Sequence, residues 1–140
     1  MNTELKDLLE SGLAKRYRID NFPTFSAVDH LKELVTTILD PMSEAIGKSI
    51  IITRGFMCER LNALSGCMDA VHVKGYAADV VPLDGSLPAF IVSAEEWLRD
   101  NDIPFDESLE EIDRDGNHYW HIALYGDNGE QRRKFIENQA

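Results

Sequence analysis

Basic residues are scarce in this sequence. Fourteen lysines and arginines stand against 25 aspartates and glutamates, for a net charge of −11. Phosphate binding rests on Lys and Arg neutralising charge, so this balance argues against a nucleic-acid partner and against docking on an anionic membrane surface. Cysteine is equally sparse. Cys58 and Cys67 are too few for a secreted disulfide framework and are expected to be reduced, small hydrophobes. A short-loop disulfide, or a part in metal binding, is the alternative. No apolar run approaches the roughly 20 residues that span a bilayer. Met1 to Lys6 shows no basic stretch followed by an apolar one, so no signal peptide is expected and the chain is expected to be cytoplasmic as synthesised. There is no internal repeat, low-complexity segment or interdomain linker.

What remains is ordinary globular material. The 140 residues are 44% hydrophobic and 28% charged, enough for one domain over 1–140 with a core that needs no disulfide or structural metal. A monomer is expected. Residues 5–17 read as a short helix with Leu5, Leu8, Leu9 and Leu13 on one face. Pro23 then enforces an extended connector. Ser26, with Asp29 three residues on, suggests a capping box for a helix whose stripe runs Leu31, Leu34, Val35, Ile38, Leu39, Met42 and Ile46. Pro41 predicts a kink or break near Asp40, and Gly47 a stop.

Ser49 to Thr53 and Tyr76 to Val81 read as strands, with a short helix from Cys58 to Leu64 carrying Leu61 and Leu64 inward. A loop with Pro82, Gly85 and Pro88 precedes a helix over Ala89 to Asp100. Phe105 to Ile112 and His118 to Tyr125 read as two strands around the turn Asp113-Arg114-Asp115-Gly116-Asn117. The tail from Asp127 is polar, with at most one short helix. Helices and strands mix without βα alternation, which predicts an α+β fold with a small, mainly antiparallel sheet flanked by helices.

Chemistry concentrates in two stretches, Val71-His72-Val73-Lys74-Gly75-Tyr76-Ala77-Ala78-Asp79 and Tyr119-Trp120-His121-Ile122. His72, Asp79 and His121 are metal-ligand types, and three protein ligands with a fourth position open describe a catalytic zinc site better than a structural one. Gly75 lets the backbone turn between the first two. Ala77 and Ala78 leave space, and an Asp pointing toward a core needs a partner such as a metal.

These residues resemble the zinc D-Ala-D-Ala peptidase-like family, the M15 peptidases, akin in fold to the zinc domain of hedgehog signalling proteins. That family's pattern is S-x-H-x-x-G-x-A-x-D followed later by W-x-H or W-H. Here it is met by Ala70 through Asp79 and by Trp120-His121, with Ala70 in place of the serine. Ile19-Asp20-Asn21-Phe22-Pro23, Leu39-Asp40-Pro41-Met42, Ile52-Thr53-Arg54-Gly55-Phe56 and Leu61-Asn62 look like the phage-type branch, and Phe105 to Glu111 resembles its F-D-Q-L-I-x-E stretch.

The resemblance implies zinc (Zn2+) held by His72, Asp79 and His121, and hydrolysis of bacterial cell-wall stem peptides next to a D-alanine, as carboxypeptidase or endopeptidase. It also implies a carboxylate base. Glu111 matches the stretch, and Glu110, Asp115 and His118 are the alternatives. Hairpin register decides between the first two, because paired numbers with an even sum put Glu111 on His121's face and an odd sum puts Glu110 there. His118 should face away from His121. The family's arginine in S-G-Y-R-S is replaced by Met57, which leaves Arg54 or Arg60 to substitute. The other reading is a catalytically impaired zinc-binding module, or a structural phage or prophage component, on the same fold. Without a wall-docking basic patch or a signal, a phage-type enzyme would reach the wall through a partner pore at lysis.

Overall fold

The computed structural model describes residues 3–66 and 69–137. Met1, Asn2, Cys67, Met68 and residues 138–140 lie outside them, and with Cys67 the disulfide and metal alternatives for the cysteine pair. Among the described residues Cys58 has no disulfide partner, and it is partly buried against the core.

Two short helices replace the predicted single one over 5–17: α1 (Leu5–Leu9) and α2 (Gly12–Tyr17). The break is a capping event. Ser11 is extended and its hydroxyl accepts from the Ala14 N–H, which starts a new helix rather than continuing the old one. Thr24, not Ser26, caps α3 (Phe25–Leu34), through a hydroxyl that accepts from Ala27 N–H at 3.0 Å. Pro41 perturbs the helical path after α3 without breaking it. Lacking an N–H, Pro41 cannot bond to Thr37, and the backbone upstream widens into a π-helical turn at Val35–Leu39, where Asp40 N–H reaches Val35 C=O. Such single-turn bulges keep a helix going around a local defect. Helix α4 (Asp40–Ile46) then ends at Gly47 with φ +67°.

Among the described residues five strands form one sheet: β1 (Ile50–Arg54), β2 (Ala77–Pro82), β3 (Glu107–Ile112), β4 (His118–Ala123) and β5 (Lys134–Ile136), in the order β1-β2-β4-β3-β5. All neighbours are antiparallel except β3 and β5. The α+β expectation therefore holds. The short parallel strand β5 was not expected from so polar a tail. It is held by backbone pairing to β3 and by Phe135, which packs on the core beside Phe105.

One face of the sheet carries the main core. Ala78, Val80, Trp120 and Ile122 meet Leu31, Leu34, Ile38, Leu39 and Met42, together with Phe90, Ala94 and Leu98 of α6 (Leu87–Asp100). Pro88 is not loop but the first turn of α6, where its missing N–H costs nothing. The buried Trp120 indole donates to Ser108 Oγ at 2.8 Å, and Ser108 donates to Glu95 at 2.6 Å, so the polar atoms on this face are satisfied. No helix among the described residues is long and apolar enough to cross a membrane.

On the opposite face the turns over 70–76 pack through Val71 and Tyr76 against Ala77 and Ala123, and residues of α2 and α5 (Glu59–Leu64) line a cleft. Leu61 points inward as predicted, but Leu64 is 43% exposed, at the lip of the cleft. That cleft is where the site lies.

Candidate metal centre

Strand parity builds the site. Asp79 of β2 sits directly opposite His121 of β4, and Leu109 of β3 is the next partner along. Side chains alternate along a strand, so Asp79 and His121 leave the main core together and project onto the second face. His121 Nδ1 and Asp79 Oδ1 are 2.7 Å apart. His72 arrives from the turn before β2, with Nε2 3.5 Å from the same Asp79 oxygen. All three residues are almost fully buried.

Two glycines make this approach possible. Gly75 has φ +74°, and a Cβ there would lie 2.3 Å from Ala27 C=O. The turn between His72 and Asp79 thus needs a residue with no side chain twice over. At Gly55 a Cβ would lie 2.2 Å from Leu8 C=O. The Gly55 carbonyl accepts from His72 Nδ1 at 2.8 Å. With the proton held on Nδ1, the Nε2 lone pair is directed at the cluster.

The three ligand atoms lie within 4.8 Å of one another. Zinc bonds of about 2.0–2.1 Å in tetrahedral geometry place ligand atoms roughly 3.3 Å apart, so the set is of the right size. Two imidazole nitrogens and one carboxylate oxygen also suit zinc chemically. Electrostatics agrees. Burial would raise the Asp79 pKa, but the charge of His72 and the hydrogen bonds to both histidines outweigh it and hold the carboxyl well below its usual range. Burial works against a charged His121, but the hydrogen bond and charge of Asp79, helped by Glu111 and Glu107, push its pKa up to about 9. A cation would take the place of the protons that this buried anion holds on its neighbours.

The cluster opens into a cleft of about 530 Å³, lined among others by Arg16, Arg54, Arg114, Glu111 and Tyr119. β3 pairs Ile112 with His118 and Glu111 with Tyr119. The register is the even one, and Glu111 therefore shares His121's face and accepts from the Tyr119 hydroxyl at 3.0 Å. Burial and the negative charges of Asp79 and Glu111 raise the Tyr119 pKa, so its proton stays on oxygen. Glu110 and His118 fall on the other side, paired to each other at 2.8 Å. Asp115 stands at the cleft's rim.

Met57 is buried against Ala14 and Leu61, and Arg60 is exposed. Arg54 is the one of the two candidate arginines that lines the cleft, with Nε 4.0 Å from Asp79 Oδ2.

Sequence reasoning passed over Glu107, whose Oε1 is 3.7 Å from His121 Nε2. The signal was available: Glu107 has the same strand parity as Glu111. Tyr119 and the Gly55 carbonyl were also missed. The carbonyl leaves no trace in a pattern of side chains.

No curated protein matches the chain. The family model for peptidase M15 matches residues 6–106, well over half of it. That stretch carries His72 and Asp79 but ends before Glu111 and His121, which the fold brings to the same place. A match of this extent, joined to a buried His-Asp-His cluster in an open cleft, makes the chain a member of the peptidase M15 family of metallopeptidases.

Proposed function

We propose that this protein is a zinc peptidase acting on bacterial cell-wall stem peptides, cutting next to D-alanine as a carboxypeptidase or endopeptidase. The observation that carries the reading is the shared position of the buried His72–Asp79–His121 cluster and Glu111 at one cleft. Zinc held by those three side chains would supply Lewis acidity and a water ionised near neutral pH.

The chain's own residues then have distinct tasks. Glu111 accepts the proton of the attacking water and returns it to the leaving amine. Tyr119, which donates to Glu111, holds that carboxylate in place. Arg54 lines the cleft beside Asp79 and offers a guanidinium to the developing negative charge on the scissile carbonyl oxygen, the task left open by Met57. Arg16 and Arg114 line the same cleft. Their planar, bidentate geometry suits carboxylates, which stem peptides carry.

A second reading draws on Met57, whose burial with Ala14 and Leu61 removes the family's arginine from the cleft. It is a catalytically silent zinc-binding or structural phage module. Metal analysis and then digestion of peptidoglycan separate the two. About one zinc per chain, lost in His72→Ala, with release of free amine or D-alanine, establishes the peptidase. Zinc without release establishes the silent zinc-binding module, and a chain without zinc overturns the peptidase and leaves the structural module.

A further inference from the structure

His121 has two ring nitrogens, and each faces a different carboxylate. Nδ1 faces Asp79 Oδ1 at 2.7 Å, on the side of the ligand cluster. Nε2 faces Glu107 Oε1 at 3.7 Å. For Nδ1 to offer a lone pair to a metal, the imidazole proton must reside on Nε2, and Glu107 is the acceptor standing there. We propose that Glu107 is a positioning residue, whose carboxylate accepts a hydrogen bond from His121 Nε2–H and so aims Nδ1 at the metal. The assignment rests on the zinc reading of the cluster.

Glu107 is itself held from behind. Its other oxygen, Oε2, accepts from Arg132 Nη2 at 3.3 Å. Arg132 in turn grips the buried Asp106 through Nε at 2.9 Å and Nη2 at 2.7 Å. One oxygen of Glu107 is therefore committed to a fixed guanidinium, and the other is left for His121. The 3.7 Å approach must shorten to an ordinary hydrogen bond of about 2.9 Å when the imidazole turns to a metal.

The two histidines are thereby treated alike from opposite sides. His72 donates from Nδ1–H to the Gly55 carbonyl and presents Nε2. His121 donates from Nε2–H to Glu107 and presents Nδ1. Such outer partners fix tautomer and ring angle and raise ligand basicity. The acids of β3 divide accordingly. Glu111 lines the cleft, whereas Glu107 is not among its lining residues and stands behind the imidazole.

Competition of the full-length chain with a chromophoric zinc chelator tests this, alongside melting of the metal-free protein. Glu107→Ala should bind zinc about 10–100-fold more weakly, with the metal-free melting temperature little changed. Glu107→Gln keeps an acceptor oxygen and should recover most of the affinity. Glu107→Asp, the variant least able to disturb folding, withdraws the carboxylate by one methylene and should fall between. Wild-type affinity in Glu107→Ala and Glu107→Asp overturns the assignment, as does a Gln variant as weak as the Ala one. Turnover lost from Glu107→Gln with zinc affinity intact would instead make Glu107 the base and also overturn it. A wild-type chain that takes up no zinc removes the metal reading itself, a result distinct from all of these.

Discussion

Asp79 and His121 are cross-strand partners, paired Cα to Cα on β2 and β4, with Oδ1 and Nδ1 2.7 Å apart. A charged pair facing inward from the middle of a sheet is costly unless something compensates it. Here the compensation comes from His72, from Arg54 at 4.0 Å and, on the zinc reading, from a divalent cation.

Metal loading should stabilise the protein. At a free zinc concentration 100 times Kd the gain is about 2.7 kcal/mol, or roughly 5–10 °C in melting temperature for a chain of this size. Excess chelator should reverse it, and Asp79→Ala should show neither effect. Differential scanning calorimetry with and without zinc reads this directly.

Glu111→Gln should retain zinc and lose turnover, since the amide cannot take the water's proton. Tyr119→Phe should retain zinc and lose only about fivefold in kcat, the worth of roughly 1 kcal/mol for one hydrogen bond. Zinc content and initial rates on one substrate distinguish the pair. Full activity in Glu111→Gln would move the base elsewhere.

Gly55→Ala places a methyl where Leu8 C=O already sits. The strand end must shift, at a cost of about 1–3 kcal/mol, and the carbonyl that holds the His72 proton moves with it. The variant should lose stability in urea and zinc affinity together. Gly47→Ala, which also has positive φ but open space around its Cβ position, should lose stability alone.

Acid should loosen the β3–β5 edge through Asp106. Burial raises its pKa, but the hydrogen bonds and charge of Arg132 outweigh this and leave the folded-state value below the ordinary one. The ion pair's contribution is therefore present in full above the unfolded carboxylate pKa of about 3.9. It is lost as pH falls through the lower, folded value. Asp106→Asn should flatten the fall in melting temperature between about pH 5 and pH 2, and Arg132→Ala should do the same.

Much of this was legible in the sequence because side-chain type and spacing carried it. The stripe from Leu31 to Met42 announced a buried helix, and the His72-to-Asp79 spacing with a distant His121 announced the cluster. Turn chemistry over 113–117 announced the hairpin, though not its register, which depends on how Asp113 caps the turn by accepting from Asp115 and Asn117 N–H. Less legible were features that backbone geometry decides. The restart at Ser11 turned on one hydroxyl, and the π-helical turn on an N–H missing from Pro41, beyond its end. β5 was hidden because a three-residue edge strand is fixed by its partner rather than by its own composition.

The strand order has a consequence for timing. β2 and β4 are neighbours although α6 and β3 separate them in the chain, so Asp79 meets His121 across 42 residues. Closing a loop of that length precedes any gain from the contact. The unfolded chain offers a metal only scattered ligands, so on the zinc reading the ion is captured after the centre of the sheet has closed. Uptake would then act as a latch on a finished fold rather than a seed for it, and its rate would report the pairing of β2 with β4. Changes far from the cleft that fray this pairing should surface first as faster metal loss, before any change in the melting curve.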